Sequence, residues 1–161
     1  MAKYITGGTR GFIGTSAAAK TLSEYKADLN PGTEILEVED FGQFGDTANE
    51  VTGTAVGDRR VQKFKGSLNA GTIALVCFKD NQDPGQLALK AAQKSDLDFN
   101  FHVVLNDKPT AAGAPTEFYF RGKVMSSSDN VGNVDNLTRT TFNIGINSEI
   151  LELPSSTTAR T

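Results

Sequence analysis

The sequence predicts a mainly β domain, a β-sandwich or barrel with one flanking α-helix. Several segments alternate apolar and polar residues with the period of two that is typical of strands. One segment alone combines helical spacing with a helix-start signal. Strands and helices do not alternate along the chain, which argues against a parallel, doubly wound sheet. With 161 residues, the chain has the usual length of one domain and can bury one sizeable core.

The predicted strands begin after a turn at residues 30–32, where Asn, Pro and Gly follow one another. The segments that indicate strands are Thr33–Glu39, Thr72–Lys79, Leu97–Leu105, Thr116–Met125 and Leu137–Leu153, the last as one long strand or two. Thr72–Lys79 is nearly continuously apolar, which predicts a strand covered on both faces. In Leu97–Leu105 the pattern divides the residues between an apolar face (Phe99, Phe101, Val103, Leu105) and a polar face (Asp98, Asn100, His102).

The predicted helix covers residues 84–94. Asp83 can cap its free N–H groups, Pro84 suits the first turn, and Gln86 has the spacing of a capping box. The apolar residues at helical spacing are Leu87, Ala88, Ala91 and Ala92, and they predict the face that packs on the sheet.

Residues 41–60 form the most loop-like stretch of the predicted domain at 33–153. Connections of this length are uncommon inside a compact domain and are usually functional or disordered. This one contains apolar residues that a solvated loop does not need, and Glu50–Val56 alternates enough to form one arm of a long hairpin. The Gly-rich residues 1–32 are predicted to be a flexible arm and residues 154–161 a flexible tail.

The composition excludes several classes of function. The formal net charge is −3 and the sequence has no basic run, which argues against tight nucleic-acid binding through phosphates. No apolar stretch is long enough to span a bilayer, and the N-terminus lacks the apolar run of a signal peptide, so a soluble intracellular product is expected. Cys77 is the only cysteine, which rules out an intrachain disulfide, and its apolar surroundings predict a core residue.

No catalytic, cofactor or metal site is predicted. Gly7, Gly11 and Gly14 resemble the phosphate-binding turn of dehydrogenases, but their spacing is one residue off and no βαβ unit follows. Tyr119 and Lys123 have the spacing of the catalytic pair of those enzymes, which requires a helix, whereas they lie in a predicted strand. His102 is the only histidine and is expected at the surface, so a zinc site and a Cys77–His102 nucleophilic pair are both unsupported.

Five segments, in this order and spacing, resemble the tail tube proteins of long, flexible-tailed bacteriophages. They are Phe44–Val51, Lys65–Thr72, Asp80–Leu89, Asn130–Asp135 and Phe142–Ile150. The resemblance covers residues 35–153 and is weak before residue 33. It implies hexameric rings that stack into a hollow tube, through which DNA passes to the host without being bound, and it implies no membrane association.

The resemblance also assigns roles to residues. It implies that the loop 41–60 bridges successive rings through Phe41, Phe44, Asp46, Asn49, Val51, Val56, Arg59 and Arg60. The carboxylates expected to line the channel are Glu37, Glu39, Asp129 and Asp135. The implied partners are a tape-measure protein, a tail terminator and distal tail or baseplate proteins, in a virion tail assembled in the host cytoplasm. Two alternatives stay open: a tube protein of a related injection system, and a stand-alone ligand-binding β-sandwich.

Overall fold

A computed structural model of the chain describes residues 3–30 and 32–160. The strands are β1 (Arg10–Ile13), β2 (Thr33–Ile35), β3 (Val38–Asp40), β4 (Thr47–Gly53), β5 (Gln62–Asn69), β6 (Thr72–Phe78), β7 (Phe99–Val104), β8 (Glu117–Asn130), β9 (Arg139–Ile146) and β10 (Leu151–Leu153). The helices are α1 (Leu22–Asp28) and α2 (Pro84–Gln93). The predicted mainly β class is therefore confirmed, and a second, shorter helix is added to it.

One antiparallel, sandwich-like sheet dominates the structure. Its strands follow the order β2-β1-β7-β8-β9-β6-β3, and β10 pairs with the first residues of β8. Strands β4 and β5 form a separate two-stranded sheet. The segment that was predicted as one final strand or two is two, β9 and β10.

The main core lies between the sheet and α2. Alternate residues of β9 are buried there, namely Thr140, Phe142, Ile144 and Ile146, and they meet Leu89 and Ala92 of the helix. β6 contributes Ile73, Leu75 and Cys77, which confirms the prediction that Cys77 is a core residue. The prediction that β6 is covered on both faces was wrong, because Thr72 and Ala74 on its other face are exposed.

Helix α2 begins and ends close to the predicted residues, but the predicted apolar stripe was partly wrong. Leu87 is 48% exposed, whereas Leu89 and Ala92 are fully buried. Gln86 fixes this rotation, because its side-chain Nε2 donates to the carbonyls of Leu36 and Phe78 at 3.2 and 2.9 Å and so points inward rather than forming a capping box. Gly85 permits the close approach of α2 to β2, since a Cβ there would lie 2.2 Å from the Glu34 carbonyl oxygen.

The predicted N-terminal arm at 1–32 was wrong for most of its described residues. β1 pairs with β2 on one side and β7 on the other, and α1 buries Tyr25 against Tyr119 in a second, smaller core. The helix begins with a capping box in which Thr21 and Glu24 accept each other's backbone N–H groups. Met1, Ala2 and Pro31 lie outside the described residues.

The second core explains why the polar face predicted for β7 is buried. Residues 14–29 cover that face, so Asn100 is fully buried and His102 is only 9% exposed. His102 stacks on Phe12 and Tyr119, with ring centroids 5.4 and 4.2 Å apart. The expectation that His102 lies at the surface was therefore wrong.

The C-terminal segment, predicted as a free tail from residue 154, is attached to the domain. Ser156 and Ala114 exchange two backbone hydrogen bonds of 2.9 Å. Arg160 Nη1 donates to Glu117 Oε2 at 2.9 Å and to the Pro115 carbonyl at 2.6 Å. Residues 154–160 therefore lie against the domain, and Thr161 lies outside the described residues.

Candidate assembly surface

The hairpin formed by β4 and β5 stands apart from the main sheet. In the described residues, its two strands pair only with one another. Nearly every hairpin residue is exposed, and Val56 at the tip is fully so. A two-stranded hairpin is marginally stable alone in water. The hairpin thus has the properties of an arm that gains its stability from a partner.

The two sides of the hairpin differ in chemistry. Val51 and Phe64 are directly opposite each other across the strands and share one side, where they are 51% and 55% exposed. The other side carries the opposed pairs Glu50–Lys65 and Thr52–Lys63. On that side Lys63 Nζ lies 3.9 Å from Glu50 Oε1. The hairpin is therefore amphipathic, with an apolar side that its own chain leaves uncovered.

The predicted bridging loop divides into a free part and an anchored part. Val51, Val56, Arg59 and Arg60 lie on the projecting hairpin and are exposed. Asn49 is also on the hairpin, where its Nδ2 donates to Ser67 Oγ at 2.8 Å. Asp46 is exposed at the base of the hairpin, beside an open groove lined by Leu68, Ile146 and Glu149.

Phe41 and Phe44 are not free to reach a neighbour. The ring of Phe44 meets the rings of Phe118 and Phe120 with centroids 5.1 and 5.9 Å apart. Phe41 packs against the main core beside Gly11, where a Cβ would lie only 2.7 Å from its ring. The structure therefore corrects the role predicted for these two residues, because both anchor the base of the hairpin to their own domain.

The sheet leaves one face uncovered where α1 does not reach. This open face consists of the outward-pointing side chains of β6, β9 and the second half of β8. Its polar members carry hydroxyl and amide groups: Thr72, Ser126, Ser128, Asn130, Thr141 and Asn143. Its two cations are each paired, Arg139 with Glu39 at 2.5 Å and Lys123 with Asp98 at 3.8 Å. The open face therefore mixes these polar groups with the apolar side chains of Ala74, Val76, Phe78 and Met125, and its charges are locally balanced.

The four carboxylates predicted to line a channel are not brought together. Glu39 is on the open face. Asp129 lies on the opposite side of the sheet, where it accepts from Thr140 at 2.7 Å and from Lys79 at 2.8 Å, and the Lys79 bond is the first cause of its lowered pKa. Glu37 precedes β3, and Asp135 lies in the exposed β8–β9 connection beyond the end of the sheet. Within one subunit these four residues therefore form no single acidic patch, and their position relative to a channel stays a prediction.

The residues considered for catalysis form no site. Tyr119 and Lys123 both lie in β8, four residues and thus about 13 Å apart along the strand. Burial, with nearby Glu117, raises the pKa of Tyr119 to about 12. The described residues contain no group of three or more His, Cys, Asp or Glu that could hold a metal ion. Nor does any described helix have the length and apolar character needed to cross a membrane.

The comparisons with known proteins show the fold. No protein-family model matches the chain, and no curated protein sequence matches it. A chain of the six-fold symmetrised baseplate of the anti-feeding prophage has a TM-score of 0.66 and 11% identity, covering 96% of this chain and 98% of that chain. The SPP1 tail tube has a TM-score of 0.60 and 13% identity, and the match covers 91% of this chain and 76% of that chain. A structure of Hcp protein has a TM-score of 0.51 and 10% identity, and the match covers 91% of this chain and 98% of that chain.

Proposed function

We propose that this chain is a structural tube subunit that assembles into stacked hexameric rings and forms the hollow conduit for DNA delivery in a phage tail. The observation that carries the proposal is the amphipathic β4–β5 hairpin, attached to a fold shared with the SPP1 tail tube. The apolar side of such a hairpin needs a partner, and further copies of the same chain can supply it. The proposed role is structural rather than catalytic.

Two open strand edges support association within a ring. β3 pairs only with Val76 and Cys77, and the connection after it passes beside Ala74 at Gly42, so in the described residues the outer edge of β6 has no strand beside it near Thr72. β7 pairs with residues 117–122 of β8, and no strand among residues 3–30 and 32–160 pairs with the corresponding edge of residues 123–130. Exposed edges invite pairing with another chain. Pairing the β6 edge of one copy with the β8 edge of the next extends the sheet around a ring.

Ring closure by these edges turns the open face of β6, β8 and β9 toward a common axis. A wall of hydroxyl, amide and apolar groups whose two cations are paired offers phosphates no net attraction, as a DNA conduit requires. Stacking of identical rings is heterologous and open-ended, so the length has to be set by other proteins. In this proposal they are a tape-measure protein and a tail terminator, with distal tail or baseplate proteins at the other end.

A second candidate is a tube subunit of a phage-derived injection system. The baseplate chain of the anti-feeding prophage favours it, since the likeness covers 98% of that chain and has the higher TM-score. The two candidates differ in what the tube is attached to and carries. Particles isolated from the producing bacterium with a DNA-filled head on the tube support the phage tail. Headless particles free of DNA support the injection system.

Negative-stain electron microscopy of the purified protein tests the shared part of both candidates. Tubes with a central channel are expected, and a variant that shortens the hairpin by removing residues 54–61 should remain folded without forming tubes. The deletion spares Phe41 and Phe44, which anchor the base. A protein that stays monomeric at high concentration would instead support a stand-alone β-sandwich that binds a ligand.

A further inference from the structure

The connection between β8 and β9, residues 131–138, presents a second group of exposed apolar side chains. Val131, Val134 and Leu137 are 65%, 96% and 64% exposed. The connection is a structured turn, because the Asn136 N–H donates to the Asn133 carbonyl at 3.1 Å and Gly132 adopts a φ of 66°. Single exposed apolar residues are common, whereas three on one short turn indicate a contact surface.

This turn and the β4–β5 hairpin lie at opposite ends of the sheet. Only Ala70 and Gly71 separate the end of β5 from the start of β6, and Thr72 at that start pairs with Gly145. At its other end Phe78 pairs with Arg139, the first residue after the turn. The two features are thus separated by the length of β6, about 20 Å. Copies arranged end to end bring the hairpin of one against the turn of the next.

Their charges are complementary. The hairpin, residues 47–69, carries four cations, Arg59, Arg60, Lys63 and Lys65, and two carboxylates, Glu50 and Asp58. Lys63 is paired with Glu50, so the excess positive charge is centred on Arg59 and Arg60 near the tip. The stretch 129–138 carries two carboxylates and no cation. Of these, Asp129 is paired with Lys79, which leaves Asp135 for an external partner. Opposite charges at the rim of an apolar contact fix its register and exclude wrong partners.

We propose that the apolar side of the β4–β5 hairpin docks on the turn at residues 131–138 of a second copy in the adjacent ring, with Asp135 facing Arg59 and Arg60. This inference rests on the proposed function and names the surface that receives the hairpin. The contact joins different patches of the two copies, so it repeats along the axis without closing.

Cross-linking tests the contact directly. The variant carries Val56→Cys and Val134→Cys, and its tubes are treated with a short bis-maleimide. Native Cys77 does not interfere, because it is buried and its pKa is raised by burial to about 12. A matched control carries Val56→Cys and Leu87→Cys, since Leu87 is exposed on α2. A ladder of covalent multimers is expected for the first pair and not for the control.

The outcomes separate the inference from the function on which it rests. Tubes that form normally but cross-link no more in the Val56/Val134 pair than in the control would overturn the docking surface and leave the tube intact. An unmodified protein that forms no tubes would overturn the proposed function itself.

A charge-reversal series tests the polar part of the contact. Asp135→Arg alone, and Arg59→Asp with Arg60→Asp, should each raise the protein concentration at which tubes sediment by roughly tenfold, about the effect of one lost charge pair. Combining the three substitutions should bring that concentration most of the way back to the wild-type value, because opposite charges then face each other again. A combined variant that assembles no better than the worse parent would contradict the pairing.

Discussion

Glu117 is the residue at which three separate segments of the chain meet. Its Oε1 lies 3.1 Å from His102 Nε2 in β7, and its Oε2 accepts from Arg160 in the C-terminal segment at 2.9 Å. The hydrogen bond with His102 is the first cause of its lowered pKa, while burial opposes the shift and Arg160 adds to it. The carboxylate therefore links the last residues of the chain to the centre of the sheet.

The lowered pKa of Glu117 predicts a pH dependence with a definite sign. The Glu117 carboxyl binds its proton less readily in the folded state than in the unfolded state. Its contribution to folding stability is therefore present when the pH is above its ordinary pKa of 4.5, and it is lost as the pH falls through the lower pKa of the folded state. Glu117→Gln should cost about 1–3 kcal/mol at pH 7 and flatten the fall of the melting temperature below pH 4.5. Melting curves from pH 3 to 7 measure both effects, as an order-of-magnitude test.

The matched control for that prediction is Glu152→Gln, an exposed carboxylate on β10. It should change the melting temperature little at any pH. If the melting temperature falls equally steeply below pH 4.5 in the wild type and in Glu117→Gln, the contacts of Glu117 with His102 and Arg160 contribute nothing to the acid sensitivity.

The environment of His102 marks a limit of prediction from sequence. The alternation in residues 97–105 placed Phe101 and Val103 in the core correctly. It could not show that the other face is covered, because the covering segment, residues 14–29, is rich in Gly, Ala, Ser and Thr and has only a short apolar pattern, Leu22, Tyr25 and Leu29. One signal was present: Thr21 and Glu24 have capping-box spacing just before Tyr25, which indicates a helix start.

At the scale of the element, α2 shows how one polar residue sets the face of a helix. The stripe read from spacing alone placed Leu87 inside, but the bonds from Gln86 turn the helix so that Leu89 is buried instead. Spacing identified the helix correctly, because Asp83 and Pro84 mark its start. The rotation depended on the carbonyls of Phe78 and of Leu36, and Leu36 lies 50 residues from Gln86 in the sequence.

The pair Leu89 and Leu87 provides a matched test of that rotation. Leu89→Ala should cost about 2–5 kcal/mol, because it removes a fully buried side chain and leaves a cavity. Leu87→Ala should stay within about 0.5 kcal/mol, since that side chain is half exposed. Chemical denaturation measures both, and equal losses from the two variants would contradict the observed face.

Phe44, at the base of the hairpin, and Phe64, on its apolar side, are expected to respond to substitution in opposite ways. Phe44→Ser should lower the melting temperature of the free subunit, because Phe44 packs on Phe118 and Phe120. Phe64→Ser should leave the free subunit as stable as the wild type but prevent tubes, because Phe64 contacts solvent in the isolated chain. Calorimetry of the subunit and sedimentation of assembled material measure the two effects. A Phe64→Ser protein that assembles normally would exclude the apolar side of the hairpin from the ring contacts.

At the scale of the whole molecule, the sheet separates two kinds of association. Its open lateral edges, on β6 and β8, run along the strands and suit neighbours within a ring. The hairpin and the 131–138 turn lie at the two ends of the strands and suit neighbours in adjacent rings. In the proposed tube, lateral and axial contacts therefore use different residues, so a substitution at the hairpin is expected to leave rings while preventing their stacking.

The open face supports a last prediction, about transport through the proposed tube. Its cations are already neutralised by Glu39 and Asp98, so a new positive charge there has no partner. Ser128 and Thr141 are directly opposite one another on this face. Ser128→Lys with Thr141→Lys should therefore slow or trap DNA during ejection, because in the proposed tube every copy adds positive charge facing a confined duplex, and salt screens charges largely only beyond a Debye length of about 8 Å.

The control carries a single lysine on the helix face, Leu87→Lys, which adds positive charge outside the proposed channel. Ejection is followed by the release of labelled DNA from phage particles, alongside imaging of their tails. Slower release from the Ser128/Thr141 variant alone would place these strands on the channel wall. Normal release from well-formed tails carrying those lysines would exclude the open face from the lumen.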